Sequence, residues 1–474
     1  MMSRRTLAIA AALALAVAAC ASDEASPSTV APEPSSIPAT SIVPETPATE
    51  PSTVAPEPST IPETPVTEPT IAAPEPTLAP EPPVVPPTEV WSVTQVDAEL
   101  PNADAFYQEL NVMVLPDGRP RVIYGTGTSL RMATCVDLAC TEVEVVEVLD
   151  TAPDLAVAGS AAMRGDGSPV IVAARGVVWC EDPDCGSVTT SVLPEMRYDR
   201  PWLVTSPDGR VGVFMLVATE VWAGSGPPGD YVVAFTYCDD PGCLDDPDGL
   251  TELRFVSADE FSFRGGAAGG FDSEGLPVAL HWAIPRSADP SALAVVACED
   301  TDCVTVGEPR TVAEGSTFSL RSPMAVPGGG LVLLYQTFVG GPDVEWQGVT
   351  TSITVCEHTT CSEVGATVEL NPVEAGEFGT PFSGALGPDG LVRLVWTTVE
   401  GFELTTCDDA ACSAFVTSDL VPHRAHQIGL VVAGDGATVV ATADSRPPDE
   451  PNIVPGVWLL RCDDRQCLSP EPAS

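Results

Sequence analysis

The chain has 474 residues, long enough for two or three ordinary domains, and a formal net charge of −47 from 67 acidic against 20 basic residues. Every basic residue is Arg; Lys is absent. A surface this acidic repels nucleic acid and anionic lipid headgroups, which excludes nucleic acid as a partner, and it suits a soluble extracellular protein or one facing salt or divalent cations.

Residues 1–19 read as an export signal. Arg4 and Arg5 form a short positive region, and Leu7 to Ala19 form an apolar run too short to span a bilayer comfortably. The run ends in "VAAC", which resembles the bacterial lipobox. The resemblance implies that Cys20 is diacylated, becomes the mature N-terminus and anchors the protein in the membrane, on the outer side of the cytoplasmic membrane at the cell surface. An ordinary signal peptide with an incidental Cys is the competing reading. "SRRTLA" also loosely resembles a twin-arginine signal, so the export route stays open.

Residues 20–88 are a Pro/Thr/Glu-rich linker. "STVAPEPS" occurs at 28–35 and again at 52–59, and the segment has no aromatic residue. With no periodic apolar face to bury, it is expected to be disordered and rich in polyproline II. At roughly 3 Å per residue it could reach about 200 Å, enough for a stalk. Its Thr and Pro content also permits O-glycosylation.

Residues 89–474 carry fourteen cysteines in seven pairs of identical spacing, C-x4-C: Cys135/Cys140, Cys180/Cys185, Cys238/Cys243, Cys298/Cys303, Cys356/Cys361, Cys407/Cys412 and Cys462/Cys467. Successive first cysteines lie 45 to 60 residues apart, within the range of propeller blades. Upstream of each pair comes a tight-turn signal ("LPDGRP", "RGDGSP", "SPDGRV", "DSEGLP", "VPGGGL", "GPDGLV", "AGDGAT") and then a β-rich run such as "RVIYGTG" or "LVLLYQTF". A third run leads into the first Cys, and a fourth follows the second. Each unit therefore has four short strands, A to D, and the chain is predicted to be all-β, a seven-bladed β-propeller of four-stranded antiparallel blades. The last unit lacks a strand D, while an orphan strand, "EVWSVTQVD", stands at 89–97. If that strand pairs into the seventh blade the ring closes. A β-solenoid, the competing architecture, has no need of it.

Strand C ends at the first Cys of each pair and strand D is taken to begin at the second, which would set the two cysteines opposite each other across the ladder at a separation a disulfide accepts. Export to an oxidising place favours seven disulfide staples towards the outer edge of the ring. Structural zinc needs four converging ligands, and seven pairs pointing apart with four His in the chain do not supply them. The acidic loop residues raise calcium, but two carboxylates in a four-residue turn fall short of six to eight oxygens and fit Asx turns better. No cofactor is expected.

The B–C connections vary greatly in length, from "TVEG" to "DSRPPDEPNIVPG", while the A–B and C–D turns are short and alike. Variation confined to one face of a regular scaffold marks where function is added, or simply where drift is tolerated. The D–A connections are read as the channel rim and carry Arg197, Arg200, Arg264 and Arg321, with His423, Arg424 and His426 in the last unit. Tyr198, Trp202, Asp259 and Glu260 stand beside them, and Trp346 is available for stacking on a sugar or as a hydrophobic plug. Convergent Arg suits a carboxylate, sulfate or phosphate; pairing with neighbouring acids such as Asp199 and Glu260 is the competing role. His281 on strand B reads as a packed core residue.

The Arg placement and topology resemble the sialidase group of propellers. The resemblance implies a carboxylate held by Arg200, Arg264 and Arg321, with Tyr198 as nucleophile candidate. The departures are that the family is six-bladed, that its Asp-box repeats are absent here, and that no Glu is identifiable as the base. No G-x-S-x-G, H-E-x-x-H or phosphate-binding loop is present. The sequence thus favours a monomeric, surface-anchored binding module for a glycan, peptide or envelope partner. The alternatives are a sialidase-like glycan hydrolase with an Arg-rimmed carboxylate site and a structural envelope component.

Overall fold

Seven hairpin turns set the blades. In the first, Leu115 N–H donates to the Arg119 carbonyl at 2.9 Å and Gly118 N–H to the Leu115 carbonyl at 2.8 Å. Gly118 has φ 88°, a left-handed conformation that only glycine adopts without cost, as a three-residue hairpin loop requires. The Asp117 carboxylate takes the Arg119 N–H at 3.1 Å, closing the turn from the side. Gly167, Gly209, Gly275, Gly390 and Gly436 repeat the geometry with φ from 75° to 88°.

The computed structural model describes residues 91–97 and, between 110 and 467, the strands with their A–B turns and most of the C–D loops; most B–C and D–A connections lie outside the described residues. So do residues 1–90, and with them the readings of the export signal, of Cys20 and of the linker. The chain divides into two compact units, Met1–Glu81 and Pro82–Ser474, and the second contains everything described below.

The second unit is all-β. Four antiparallel strands per blade form a ring of seven blades, the predicted propeller. Blade 1 comprises Asn111–Val114, Pro120–Gly125, Ser129–Cys135 and Val143–Asp150. Blade 3 comprises Tyr198–Thr205, Val211–Ala218, Tyr231–Cys238 and Thr251–Val256. In blades 4 and 5 the inner strand is broken in two, as Phe261–Phe263 with Ala267–Phe271, and as Thr317–Leu320 with Met324–Val326. The seventh blade has the order expected for ring closure: Trp91–Asp97 pairs antiparallel with Gly456–Cys462, Trp91 against Cys462 and Asp97 against Val457.

Burial follows position in the blade. Strand B is sandwiched between neighbouring blades, so Pro120–Gly125 is buried at every residue, whereas outer strand Val143–Asp150 has one buried residue, Val148. Among the described residues seven apolar clusters occur, one at each blade–blade contact. The contact between blades 7 and 1 joins Val122, Tyr124 and Ala133 to Val439, Ala441 and Val457, with Val96 of the closing strand between them. Side chains complete that closure. Tyr124 Oη donates to Asp97 Oδ2 at 2.8 Å, Arg131 donates to the same oxygen at 2.7 Å, and Thr94 Oγ1 donates to the Cys140 carbonyl at 2.8 Å.

All seven disulfides form: Cys135–Cys140, Cys180–Cys185, Cys238–Cys243, Cys298–Cys303, Cys356–Cys361, Cys407–Cys412 and Cys462–Cys467, with Cα separations of 4.8 to 5.4 Å. Their placement corrects the expectation from spacing, which set the two cysteines opposite each other across the ladder. Cys135 pairs with Val143, Cys180 with Val188, Cys356 with Val364 and Cys407 with Phe415, so strand D starts three residues after Cys140, Cys185 and Cys412 and no second Cys opens it. In blade 3 it starts later still, at Thr251, well beyond Cys243.

The second Cys belongs instead to the turn, where its N–H closes on the carbonyl of the residue three back. Cys185 does so on Asp182 at 3.1 Å, Cys243 on Asp240 at 3.2 Å, Cys361 on His358 at 2.9 Å and Cys412 on Asp409 at 3.0 Å. Cys140, Cys185, Cys303, Cys361, Cys412 and Cys467 adopt a left-handed φ of 46° to 55°. That folds the sulfur back under the hairpin, into the contact with the preceding blade. Cys140 joins the cluster between blades 7 and 1, Cys185 that between blades 1 and 2, Cys303 that between blades 3 and 4, and Cys361 that between blades 4 and 5. Cys243 packs partly buried against the cluster between blades 2 and 3. The staples are core elements rather than edge clips.

Candidate functional site

The strands that line the central channel are stitched to one another by side chains. Asn111 Nδ2 donates to the Gly159 carbonyl at 3.2 Å while its Oδ1 accepts Ala161 N–H at 3.0 Å, tying blade 1 to blade 2. Ser160 Oγ accepts Leu203 N–H at 2.9 Å, and Ser383 Oγ accepts Leu430 N–H at 3.0 Å. These bonds satisfy backbone groups on the free inner edges of the sheets.

Three successive inner strands each contain a register break, and in two of them, blades 3 and 5, it begins at an Arg. In blade 3 the pair Asp199–Leu216 is followed by Trp202–Phe214, so Arg200 and Pro201 stand against one residue. In blade 4 Phe263–Ile284 is followed by Ala267–His281, a register change of one residue across a stretch outside the described residues. In blade 5 Leu320–Tyr335 is followed by Met324–Val332, so Arg321, Ser322 and Pro323 stand against two. Each is a one-residue β-bulge, a device that recurs beside functional sites because it re-aims a side chain. Blade 2 slips by one residue at Gly159, without an Arg, and the inner strands of blades 1, 6 and 7 keep their register. Arg200 and Arg321 thus sit within the course of the inner strands, not on connections leading into them. "RP", "RGG" and "RSP" inside otherwise apolar runs were the available signal, because Pro and Gly within a strand mark bulges.

Trp202 links two of the bulges. Its Nε1 donates to Ser322 Oγ at 2.5 Å, from blade 3 to blade 5 across the inner strand of blade 4. Its ring packs against the apolar clusters on both sides of blade 4. The strand it crosses is small, Ala267-Ala268-Gly269-Gly270. A Cβ on Gly269 would stand 1.9 Å from the Phe214 ring, so no larger residue fits.

Arg321 is placed and occupied. Its Nε donates to the Phe382 carbonyl at 2.7 Å, one terminal nitrogen donates to the Leu320 carbonyl at 3.1 Å, and the guanidinium stacks over the Phe382 ring at 4.5 Å. It clamps blade 5 to blade 6. The backbones of Tyr198 and Arg200 belong to the inner strand of blade 3, Tyr198 opposite Val217; their side chains lie outside the description. Arg197, Asp259, Glu260, Arg264, Trp346, His423, Arg424 and His426 lie outside the described residues.

His281 is a core residue, as expected. It is buried with Tyr231 Oη 3.4 Å from Nε2 and an Arg254 terminal nitrogen 3.5 Å from Nδ1. Burial first, and the Arg254 charge second, push its pKa down to about 3.

The acidic loops are Asx turns. The Asp137 carboxylate takes the N–H and hydroxyl of Thr141, Asp409 takes both groups of Ser413, and Asp300 takes the N–H groups of Val304 and Thr305. These bonds hold all three carboxyls below the usual range: the hydroxyl first for Asp137 and Asp409, the backbone N–H of Val304 first for Asp300. Among the described residues no group of three or more His, Cys, Asp or Glu could hold a metal ion.

Several solved structures are similar to this chain at low identity. An alpha-L-arabinanase of Penicillium chrysogenum complexed with arabinobiose matches at 10% identity and TM-score 0.45, over 78% of this chain and 97% of that one. An alpha-L-arabinofuranosidase of Fusarium graminearum, also with arabinobiose, matches at 10% identity and TM-score 0.44, over 77% and 96%. A virginiamycin B lyase of Staphylococcus aureus matches at 9% identity and TM-score 0.43, over 78% and 99%. No protein-family model matches, and no curated protein does. The resemblance to sialidases extends to the propeller architecture, and Arg321, one of the three Arg it would recruit, is committed to Phe382.

Proposed function

We propose that this protein is an exported lipoprotein that displays its propeller as a monomeric binding module for a glycan or protein partner. Cys20 carries the lipid, residues 20–88 form the stalk, and the partner meets the channel mouth over the bulges of blades 3 to 5. The observation that carries this reading is the succession of register breaks in the inner strands of blades 3, 4 and 5, of which those of blades 3 and 5 open on Arg200 and Arg321.

The division between the two faces supports it. The A–B and C–D connections, with the residues that follow Cys462 up to Cys467, contain 27 Asp or Glu, four Arg and no aromatic residue. They are locked by turns, Asx bonds and disulfides repeated from blade to blade. The connections on the opposite side carry Phe106, Tyr107, Trp222, Trp346 and Phe378. Aromatic and Arg side chains are the residue types enriched at recognition surfaces, and Asp and Glu are depleted there.

Two experiments test the reading. Metabolic labelling with a fatty acid should mark the protein and fail in Cys20→Ala. An array of acidic glycans, neutral glycans and peptides should retain the protein, with retention lost in Arg200→Ala. An array without a hit, or a hit indifferent to Arg200 and Arg264, removes the binding reading.

A further inference from the structure

Blade 1 departs from its siblings at the stapled loop. The residue after the first Cys is Glu181, Asp239, Glu299, Glu357, Asp408 and Asp463 in blades 2 to 7, and Val136 in blade 1. Two positions on, blade 1 has Leu138. Both side chains are exposed, Val136 by 48% and Leu138 by 43%; the siblings carry a carboxylate in place of Val136, and Pro183, Pro241, Thr301, Thr359, Ala410 and Arg465 in place of Leu138. Leu138 lies over the A–B turn of its own blade, its Cδ2 3.2 Å from where a Cβ on Gly118 would be.

This is also the loop beside which the chain enters the propeller. Thr94 in the closing strand bonds the Cys140 carbonyl of that same loop. Trp91, at the start of the closing strand, pairs with Cys462, at the stapled face. The chain before Trp91 is Pro82–Val90, "PPVVPPTEV", which opens the same compact unit as the propeller. It contains four Pro and three Val, and one acid, in a molecule otherwise dense in acids.

We propose that Val136 and Leu138 form the seat of the segment Pro82–Val90, with Val84 and Val85 as its apolar contacts. A Pro-rich segment is pre-ordered as polyproline II, so docking it costs little conformational entropy, and two apolar side chains, with the Asp137 carboxylate between them turned to Thr141, are the surface it fits. The seat does not rest on the proposed function and is testable on unlipidated protein.

The test is hydrogen exchange by mass spectrometry on the mature chain from residue 21. The amides of Val84 and Val85 should exchange at least about fivefold more slowly than those of the stalk at 52–80. Val136→Asp/Leu138→Asp, which replaces both apolar side chains by carboxylates, should abolish the difference while peptides from 203–217 exchange as before. Val84→Asp/Val85→Asp lies outside the ring and cannot unfold it; it should leave loop 136–142 exchanging faster. Equal exchange at 82–90 and 52–80 in the parent protein overturns the proposal. So does protection that survives both double variants, and so does protection that appears only as protein concentration rises, which would put a second copy of the chain on the patch.

Discussion

His281 is packed between Tyr231 and Arg254 and held neutral, with its pKa near 3 against an ordinary 6.5. In the unfolded chain it takes up a proton below about 6.5, and in the folded protein it does not. Stability is therefore unaffected by this group above pH 6.5 and falls as pH drops from 6.5 towards 3, at up to about 1.4 kcal/mol per unit. Urea unfolding at pH 7 and pH 5 should show a larger loss for the parent protein than for His281→Gln; equal losses would mean the ring is not held neutral. A second residue-level expectation concerns the left-handed cysteines. Cys412 has φ 52°, a conformation that costs an ordinary residue about 1 kcal/mol and glycine almost nothing. Once the disulfide is removed, Cys407→Ala/Cys412→Gly should be more stable than Cys407→Ala/Cys412→Ala by about that amount in urea titration.

The closing strand Trp91–Asp97 is weakly anchored by burial, since Val96 is its one described buried side chain. Its hold on the ring comes from the backbone ladder with Gly456–Cys462 and from Asp97, which receives both Tyr124 and Arg131. Asp97 and Arg131 are largely shielded from water, with side-chain exposures of 10% and 21%. Asp97→Asn should lower stability by about 1–2 kcal/mol, the range for a partly exposed charge-assisted bond. The urea midpoint should fall with the slope unchanged; a changed slope would mean that the strand detaches altogether. This strand was legible in the sequence, because the last unit lacked an outer strand and 89–97 lacked a partner. The bulges were not legible in the same way. "DRPW", "FRGG" and "LRSP" announce a break, but which residues oppose one another depends on strands paired later in the chain. The Trp202–Ser322 bond joins residues 120 apart, and no local pattern predicts it.

At the scale of the whole molecule, the blade count came from the cysteines and the blade topology from the turns, and both agree with the ring. What the spacing left open was where a six-residue Cys loop points. A pair opposed across a ladder and a pair with the second Cys turned inward share one spacing. Burial of Cys140, Cys185 and Cys361 in the blade contacts decides for the second. The staples, the Asx turns and the carboxylates together make one face rigid and repetitive. The other face carries the bulges, the aromatic connections and the Arg. The central claim is that this second face binds. The most direct measurement compares two charge-equivalent variants on the same array hit: Arg200→Ala at the blade 3 bulge and Arg119→Ala on the stapled face. The account predicts that Arg200→Ala weakens binding about tenfold or more, as expected for the loss of a charge-assisted contact, while Arg119→Ala stays within about twofold. Weakening by Arg119→Ala with Arg200→Ala unchanged would contradict it.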